Sequence, residues 1–356
     1  MPGATGNREL QLTTENSTTG HWRLLLTHNG RKPHRYTPAW WIPGGHLRTL
    51  WGKFFRRRPA PPTRRERWET PDGDFVDVVR LDAPAAGAPR LLLAHGLEGT
   101  ARSHYVRGFF GEAARRGWGA DLLVFRGCGD EPNRARRFYH SGETGDLAHV
   151  LARVAREHPG APLGLAGVSL GGNVLLKMLG EGGALPPAVR AAAAVSVPFD
   201  LGRGARHIGR GFGAVYEHSF LRSLRRKAEE KLGRYPDLCD PARLAAARTI
   251  LEFDDAVTAP VHGFASADDY YARSSSIHFL PGIRVPTLLL SAADDPFLPP
   301  EVLDEVRAVA RGNPLLEVEF VERGGHVGFI GGRVPWRPFY YAEWRVCEFL
   351  ERWMKD

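Results

Sequence analysis

The stretch Leu163-Gly164-Leu165-Ala166-Gly167-Val168-Ser169-Leu170-Gly171-Gly172-Asn173-Val174-Leu175-Leu176-Lys177-Met178 changes character in its middle. Its first six residues are a short, nearly continuous apolar run, the pattern of a strand buried on both faces. From Asn173 onward the pattern is that of a helix. Between them Gly167-Val168-Ser169-Leu170-Gly171 matches GxSxG. In a chain with 41 glycines the pentapeptide carries little weight alone, and a glycine-rich turn with a structural serine would fit it too. The flanking strand and helix give it meaning. A serine on a sharp strand-to-helix turn has its hydroxyl pushed out of the sheet and its backbone strained, while small neighbours allow close approach. The helix N-terminus beside it presents unpaired N–H groups where an oxyanion would form.

Working outward, strands are expected at 90–94, 121–125, 163–168, 191–197, 287–291 and 316–321. Helical stretches at 105–116, 146–157, 173–180, 301–310 and 341–354 alternate with them. Such alternation means βαβ units and a parallel sheet. Before it, runs at 67–70 and 75–81 flank Pro71-Asp72-Gly73-Asp74 and read as a hairpin. Between Phe199 and Pro281 the rhythm stops, and a charged, helical, loop-interrupted stretch reads as an insertion.

A serine hydroxyl is a poor nucleophile near neutral pH and needs a base oriented by a carboxylate. The strand at 287–291 runs into Ala292-Ala293-Asp294-Asp295-Pro296-Phe297-Leu298-Pro299, and the next into Glu322-Arg323-Gly324-Gly325-His326-Val327-Gly328-Phe329. Both segments lie just past strand C-termini, where ligands bind in open α/β sheets. A loop histidine alone is commonly a surface residue, but its place and order after Ser169 favour His326 as the base. Asp295 is the chosen acid, with Asp294 second. The strand at 90–94 ends in His95-Gly96-Leu97-Glu98-Gly99, a turn of the type that supplies a second oxyanion donor. The backbone N–H groups of Leu97 and Leu170 are therefore the expected pair. His95 reads as a buried structural histidine.

These motifs stand beside Ser103-His104-Tyr105-Val106-Arg107, Phe125-Arg126-Gly127-Cys128-Gly129, Tyr139-His140-Ser141-Gly142-Glu143-Thr144 and Ser196-Val197-Pro198-Phe199-Asp200. Together they resemble the YheT-like branch of the α/β-hydrolase family, which includes AB-hydrolase domain esterases and medium-chain ester enzymes. The similarity runs from about Tyr36 to the C-terminus. It implies an α/β-hydrolase fold, with a mostly parallel central sheet, helices on both faces and a helical cap insertion at about 200–280. It also implies a Ser169, Asp295, His326 triad acting on carboxylic esters through an acyl-enzyme; the apolar arm and cap point to short- or medium-chain acyl esters, and no cofactor or metal is expected. Some relatives pass the acyl group to an alcohol, which makes acyltransfer the alternative activity, and a non-catalytic binding protein on the same fold is the alternative of another class. The departures are Gly129, where many relatives carry serine, and a long polar leader before Tyr36.

The 356 residues, 43% hydrophobic and 25% charged, describe an ordinary globular protein. The net charge of +8 is unevenly spread: residues 1–68 hold 13 Lys+Arg against 3 Asp+Glu, leaving 35 against 37 for the rest. The excess marks residues 1–63 as an N-terminal arm, a leader followed by an aromatic and basic segment (Trp40, Trp41, Leu47, Leu50, Trp51, Phe54, Phe55) that packs on the hydrolase domain at 64–356 or lines an apolar entrance. Three scattered cysteines make no disulfide framework or thiolate metal site. The N-terminus lacks a signal-peptide pattern, so a cytoplasmic location is expected, with the basic arm able to touch an anionic membrane surface. The expected partner is a small-molecule ester, and no nucleic-acid motif is present. Gly209-Arg210-Gly211-Phe212-Gly213-Ala214 satisfies GxGxxA, but no acidic residue ends a second strand beyond it, which argues against dinucleotide binding. Asp254-Asp255 and Asp268-Asp269 read as solvated turns or helix caps.

Overall fold

The computed structural model describes residues 35–56 and 60–355. The polar leader and Arg57-Arg58 of the basic arm lie outside the described residues. From Thr37 onward the chain forms one compact unit.

Helix α1 (Gly44–Phe55) precedes an eight-stranded sheet. The sheet elements are β1 (Arg64–Glu69), β2 (Phe75–Leu81), β3 (Arg90–Ala94), β4 (Gly119–Val124), β5 (Leu163–Val168), β6 (Val189–Val195), β7 (Thr287–Ala292) and β8 (Leu316–Val321). Helices α2 (His104–Arg115), α3 (Gly145–Glu157) and α4 (Leu170–Gly180) connect the first strands. Between β6 and β7 come α5 (Leu201–Ile208), α6 (Gly213–Leu232), α7 (Pro241–Ala246), α8 (Ile250–Phe253), α9 (Ala259–His262) and α10 (Ala267–Ser274). Helices α11 (Pro300–Ala310) and α12 (Tyr341–Met354) complete the chain.

The strand order is β1-β2-β4-β3-β5-β6-β7-β8. The hairpin β1–β2 is antiparallel and β2 pairs antiparallel with β4, while β4, β3, β5, β6, β7 and β8 are mutually parallel. The order reverses at β3, so the chain leaves β3 toward β4 and later returns to its other side as β5. Loops diverging from such a switch point open a crevice at the strand C-termini. The central strands β3, β4 and β5 are buried along their whole length, as their continuous apolar runs require.

The hairpin is tied to the sheet by charge rather than by apolar packing alone. The buried Arg126 guanidinium donates to Asp72 and Asp74 of the turn and to both oxygens of Asp146 at the start of α3. Removing one partner of such a network would leave a charge stranded away from water, at a cost of several kcal/mol.

Helix α1 reverses the arrangement its sequence suggests. Leu47, Leu50, Trp51 and Phe54 fall at helical spacing, yet the face turned into the protein carries Arg48 and Gly52, and Leu47 and Phe54 are 52% and 62% exposed. Small residues permit a close fit: a Cβ on Gly45 would lie 1.9 Å from the Asp294 carbonyl oxygen, and one on Gly52 would strike the His104 ring.

Candidate active site

Ser169 stands between β5 and α4 with φ 53° and ψ −122°, a conformation that L-residues adopt only under constraint. The constraint is visible around it. The Ser169 N–H donates to the Val195 carbonyl of the neighbouring strand at 2.8 Å. A Cβ on Gly167 or Gly171 would collide with backbone at 2.4–2.5 Å, so only glycine lets strand and helix meet here.

Asp295 follows β7 and His326 follows β8. The His326 Nδ1–Asp295 Oδ2 distance is 2.9 Å, and His326 Nε2 lies 3.0 Å from Ser169 Oγ. All three side chains are thus joined in one hydrogen-bonded chain, with the imidazole and carboxylate largely shielded from solvent. Asp294, the second candidate acid, is engaged elsewhere. It accepts from the Gly324 and Gly325 amides at 2.6 and 2.7 Å and pairs with Arg48 at 3.0 Å, holding the loop that carries His326. That loop is further fixed by Thr49 Oγ1, which accepts from the His326 N–H at 2.9 Å, and by Ser196 Oγ, which accepts from Val327 N–H at 3.0 Å. Val327 and Phe329 also have positive φ. Phe297 packs its ring 4.1 Å from that of His326.

The expected oxyanion donors flank Ser169. A Cβ on Gly96 would come within 3.1 Å of the Ser169 Cβ, so the turn after β3 lies directly against the serine. In that turn the Gly96 and Glu98 amides are already committed, to the hydroxyls of Tyr105 and Tyr139 at 2.9 Å. Among the described residues the Leu97 and Leu170 amides have no acceptor, Leu170 because it opens α4. Glu98 itself has φ 55°. Its carboxylate is clamped by Tyr139 Oη at 2.8 Å, by Lys227 Nζ at 2.6 Å and by Ser223 Oγ, so α6 is tied to the turn.

His95 is fully buried. Phe125 N–H donates to its Nε2 at 3.1 Å, which leaves Nδ1 to donate to the Gly96 carbonyl at 2.8 Å. Burial pushes it down to about 4, so it is neutral and structural. Burial likewise pushes His104 down to about 4. The 139–143 segment braces the nucleophile turn and lines the cavity through Tyr139, His140 and Ser141: Asn173 Nδ2 donates to the Ser141 and Ser274 carbonyls at 2.8 Å, and its Oδ1 accepts from Ser276 N–H. The GxGxxA match joins α5 to α6 and follows no strand.

One correction concerns Asp254-Asp255. Asp255 is at the surface, paired with Arg243. Asp254 is not solvated; it turns into the protein, accepting from Thr258 Oγ1 at 2.6 Å and Tyr271 Oη at 2.7 Å. A pattern of adjacent acids reveals nothing about which one faces inward, because that depends on the backbone turn between them.

Ser169, Asp295 and His326 open onto a cavity of about 570 Å³. It is walled by α1 (Thr49, Leu50, Lys53), by the turn at Gly96 and Leu97, and by insertion residues including Leu201, Tyr216 and Phe220. Sequence reasoning missed Arg48, Thr49, Lys227 and Asn173. Their partners are far away in the chain, and no local pattern announces them.

Comparison with known proteins agrees with this architecture. The model of the alpha/beta hydrolase fold family matches residues 89–332. YheT of Escherichia coli (strain K12), named as a candidate esterase, is 41% identical over 315 residues, 87% of this chain and 91% of that protein. A monoacylglycerol lipase of Saccharomyces cerevisiae is 31% identical over 274 residues, 74% of this chain and 59% of that one. In fold, an esterase of Pyrococcus furiosus superposes with a TM-score of 0.54 at 19% identity, covering 82% of this chain and 91% of its own. With a serine elbow at the switch point of a mostly parallel sheet and relatives of this kind, the chain belongs to the α/β-hydrolase family, among its esterase- and lipase-type members.

Proposed function

We propose that the protein is a serine carboxylesterase whose triad is Ser169, His326 and Asp295, cleaving short- or medium-chain acyl esters. The observation that carries this reading is the continuous contact from Asp295 Oδ2 through both imidazole nitrogens to Ser169 Oγ. His326 Nε2 takes the hydroxyl proton as Ser169 Oγ attacks the ester carbonyl, and Asp295 holds Nδ1–H and stabilises the imidazolium. The Leu97 and Leu170 N–H groups stabilise the oxyanion. The protonated imidazole then donates to the leaving alcohol, the acyl-enzyme forms, and water activated by the same imidazole releases the acid. The cavity's size and largely apolar wall fit an aliphatic acyl chain.

The same reading treats the insertion at about 200–280 as a cap and residues 1–63 as an arm. Leu47 and Phe54 of α1, with Phe212 and Val215 at the start of α6, are exposed apolar side chains on two helices that wall the cavity. His46 of α1 meets Phe212 at 5.0 Å, so the two helices meet. Lys53, Arg102 and Arg107 add cations that have no carboxylate partner among the described residues. This composition suits contact with an anionic lipid surface. Among the described residues no helix is long and apolar enough to cross a membrane. Turnover of p-nitrophenyl esters graded in acyl length, with Ser169→Ala alongside, tests the activity. Peak activity at short or medium chains that vanishes in the variant supports it, and equal inactivity of both folded proteins toward every ester overturns it.

A further inference from the structure

Asp254 is a half-buried carboxyl for which the esterase reaction has no use. It begins a single π-helical turn, Asp254–Thr258, closed by the Ala259 N–H on the Asp254 carbonyl. Such wide turns are uncommon and concentrate at functional sites. This one brings Asp254, Val257 and Thr258 to the wall of the cavity that Ser169 shares. The same wall carries the apolar Leu224, Ile250 and Phe253, with Tyr270 and Tyr271 as its polar neighbours. Asp254 is only half-buried although it lies deep in the insertion, because its open side meets the cavity.

An ionised carboxylate offers about four acceptor positions. Thr258 fills one on Oδ1 and Tyr271 one on Oδ2, so both oxygens keep acceptor capacity. Desolvation lifts the group to about 6, against the two hydroxyl hydrogen bonds, so at neutral pH it is a charged acceptor facing the cavity. Leaving that capacity unmet beside an apolar substrate is costly, whereas a donor on the substrate would meet it. A cationic donor would have to pass Lys53, Arg102 and Arg107 and shed its hydration. A hydroxyl carries no such penalty.

We propose that Asp254 is a subsite for a hydroxyl group carried by the substrate away from the scissile bond, so that the preferred esters are hydroxylated aliphatic ones. The proposal rests on the reading of Ser169 as the nucleophile facing this cavity. The hydroxyl could belong to the acyl chain or to the alcohol, and both present the same chemistry to Asp254.

The test begins with binding, which needs no turnover: calorimetry of octane-1,8-diol and octan-1-ol with wild type, Asp254→Leu and Asp254→Asn. Wild type is expected to bind the diol about tenfold more tightly than the mono-alcohol. Asp254→Leu should reverse the order, and Asp254→Asn, which keeps the shape, should shrink the ratio severalfold. Equal or weaker binding of the diol by wild type, or an unchanged ratio in both variants, overturns the proposal. Turnover then separates the sources. A preference for p-nitrophenyl 8-hydroxyoctanoate over the octanoate places the hydroxyl on the acyl side, and a preference for monooctanoylglycerol over ethyl octanoate places it on the alcohol side. Active enzyme with neither preference also overturns the proposal. Diol selectivity in a protein that turns over no ester upholds the subsite and counts instead against the esterase reading.

Discussion

The two walls of the cavity are built on different principles. The sheet-side wall is fixed by backbone: Ser169, Ser196, Val327 and Phe329 are held at positive φ, and glycines at 167 and 171 allow backbone contacts no side chain would permit. The wall formed by α1 and the insertion is fixed by side chains, through Arg48 on Asp294, Thr49 under His326 and Lys227 on Glu98. Chemistry that needs its atoms held within a fraction of an ångström sits on the first wall, and adjustable contacts sit on the second. Substitutions on the sheet side should therefore abolish rate, and substitutions on the other side should tune it.

The largest expected contrast lies between neighbours. Asp295→Asn should lower kcat about 10³- to 10⁴-fold, by leaving His326 without its orienting carboxylate. Asp294→Asn, which only loosens the loop, should cost about tenfold or less. Equal losses would dissolve the distinction between the two aspartates. Next, Lys227→Met removes the cation from Glu98 and frees the turn that carries the Leu97 amide. Steady-state kinetics should show kcat reduced about tenfold with KM little changed, a fraction of the 10²–10³ that loss of an oxyanion donor itself costs. A change confined to KM would mean that this contact serves binding. On the exposed face of α1, Leu47→Asp combined with Phe54→Asp should weaken sedimentation with anionic vesicles severalfold while leaving hydrolysis of a soluble ester intact. Unchanged vesicle binding would exclude this face as the contact.

The smallest effect concerns stability. Asp254 has a folded-state value raised from 3.8 to about 6, so the folded protein binds more protons than the unfolded chain between those values. Stability from this group is fully present below about pH 4 and is lost as pH rises through about 6. Asp254→Asn should therefore gain on wild type as pH rises through that window, by about 1–2 kcal/mol, read as a difference in Tm between pH 4 and pH 8. A Tm difference independent of pH would show that the carboxyl is not perturbed.

The same division explains what the sequence discloses. The apolar runs that became β3, β5 and β8 and the closing helix α12 lie where local pattern places them, because burial on both faces, or along one face, writes itself into periodicity. Ser169, Asp295 and His326 were legible because each follows such a run. Helix α1 is not announced by its sequence: Gly44, Gly45 and Gly52 are poor helix formers, and its apolar stripe is divided, Trp51 packing on a core cluster while Leu47 and Phe54 face solvent. Arg48 and Thr49 were invisible for the same reason, since they act on a loop more than 240 residues away. The inward turn of Asp254 depends on one π-helical turn, which leaves no mark on composition.

The central claim is that Ser169 is the nucleophile of a working triad. Incubation with a fluorophosphonate, followed by digestion and mass spectrometry, tests it directly. One adduct per chain is expected, on Ser169, and it should fall away in His326→Ala while the protein stays folded. An unlabelled Ser169 in active wild-type protein, or labelling unaffected by loss of His326, would contradict it.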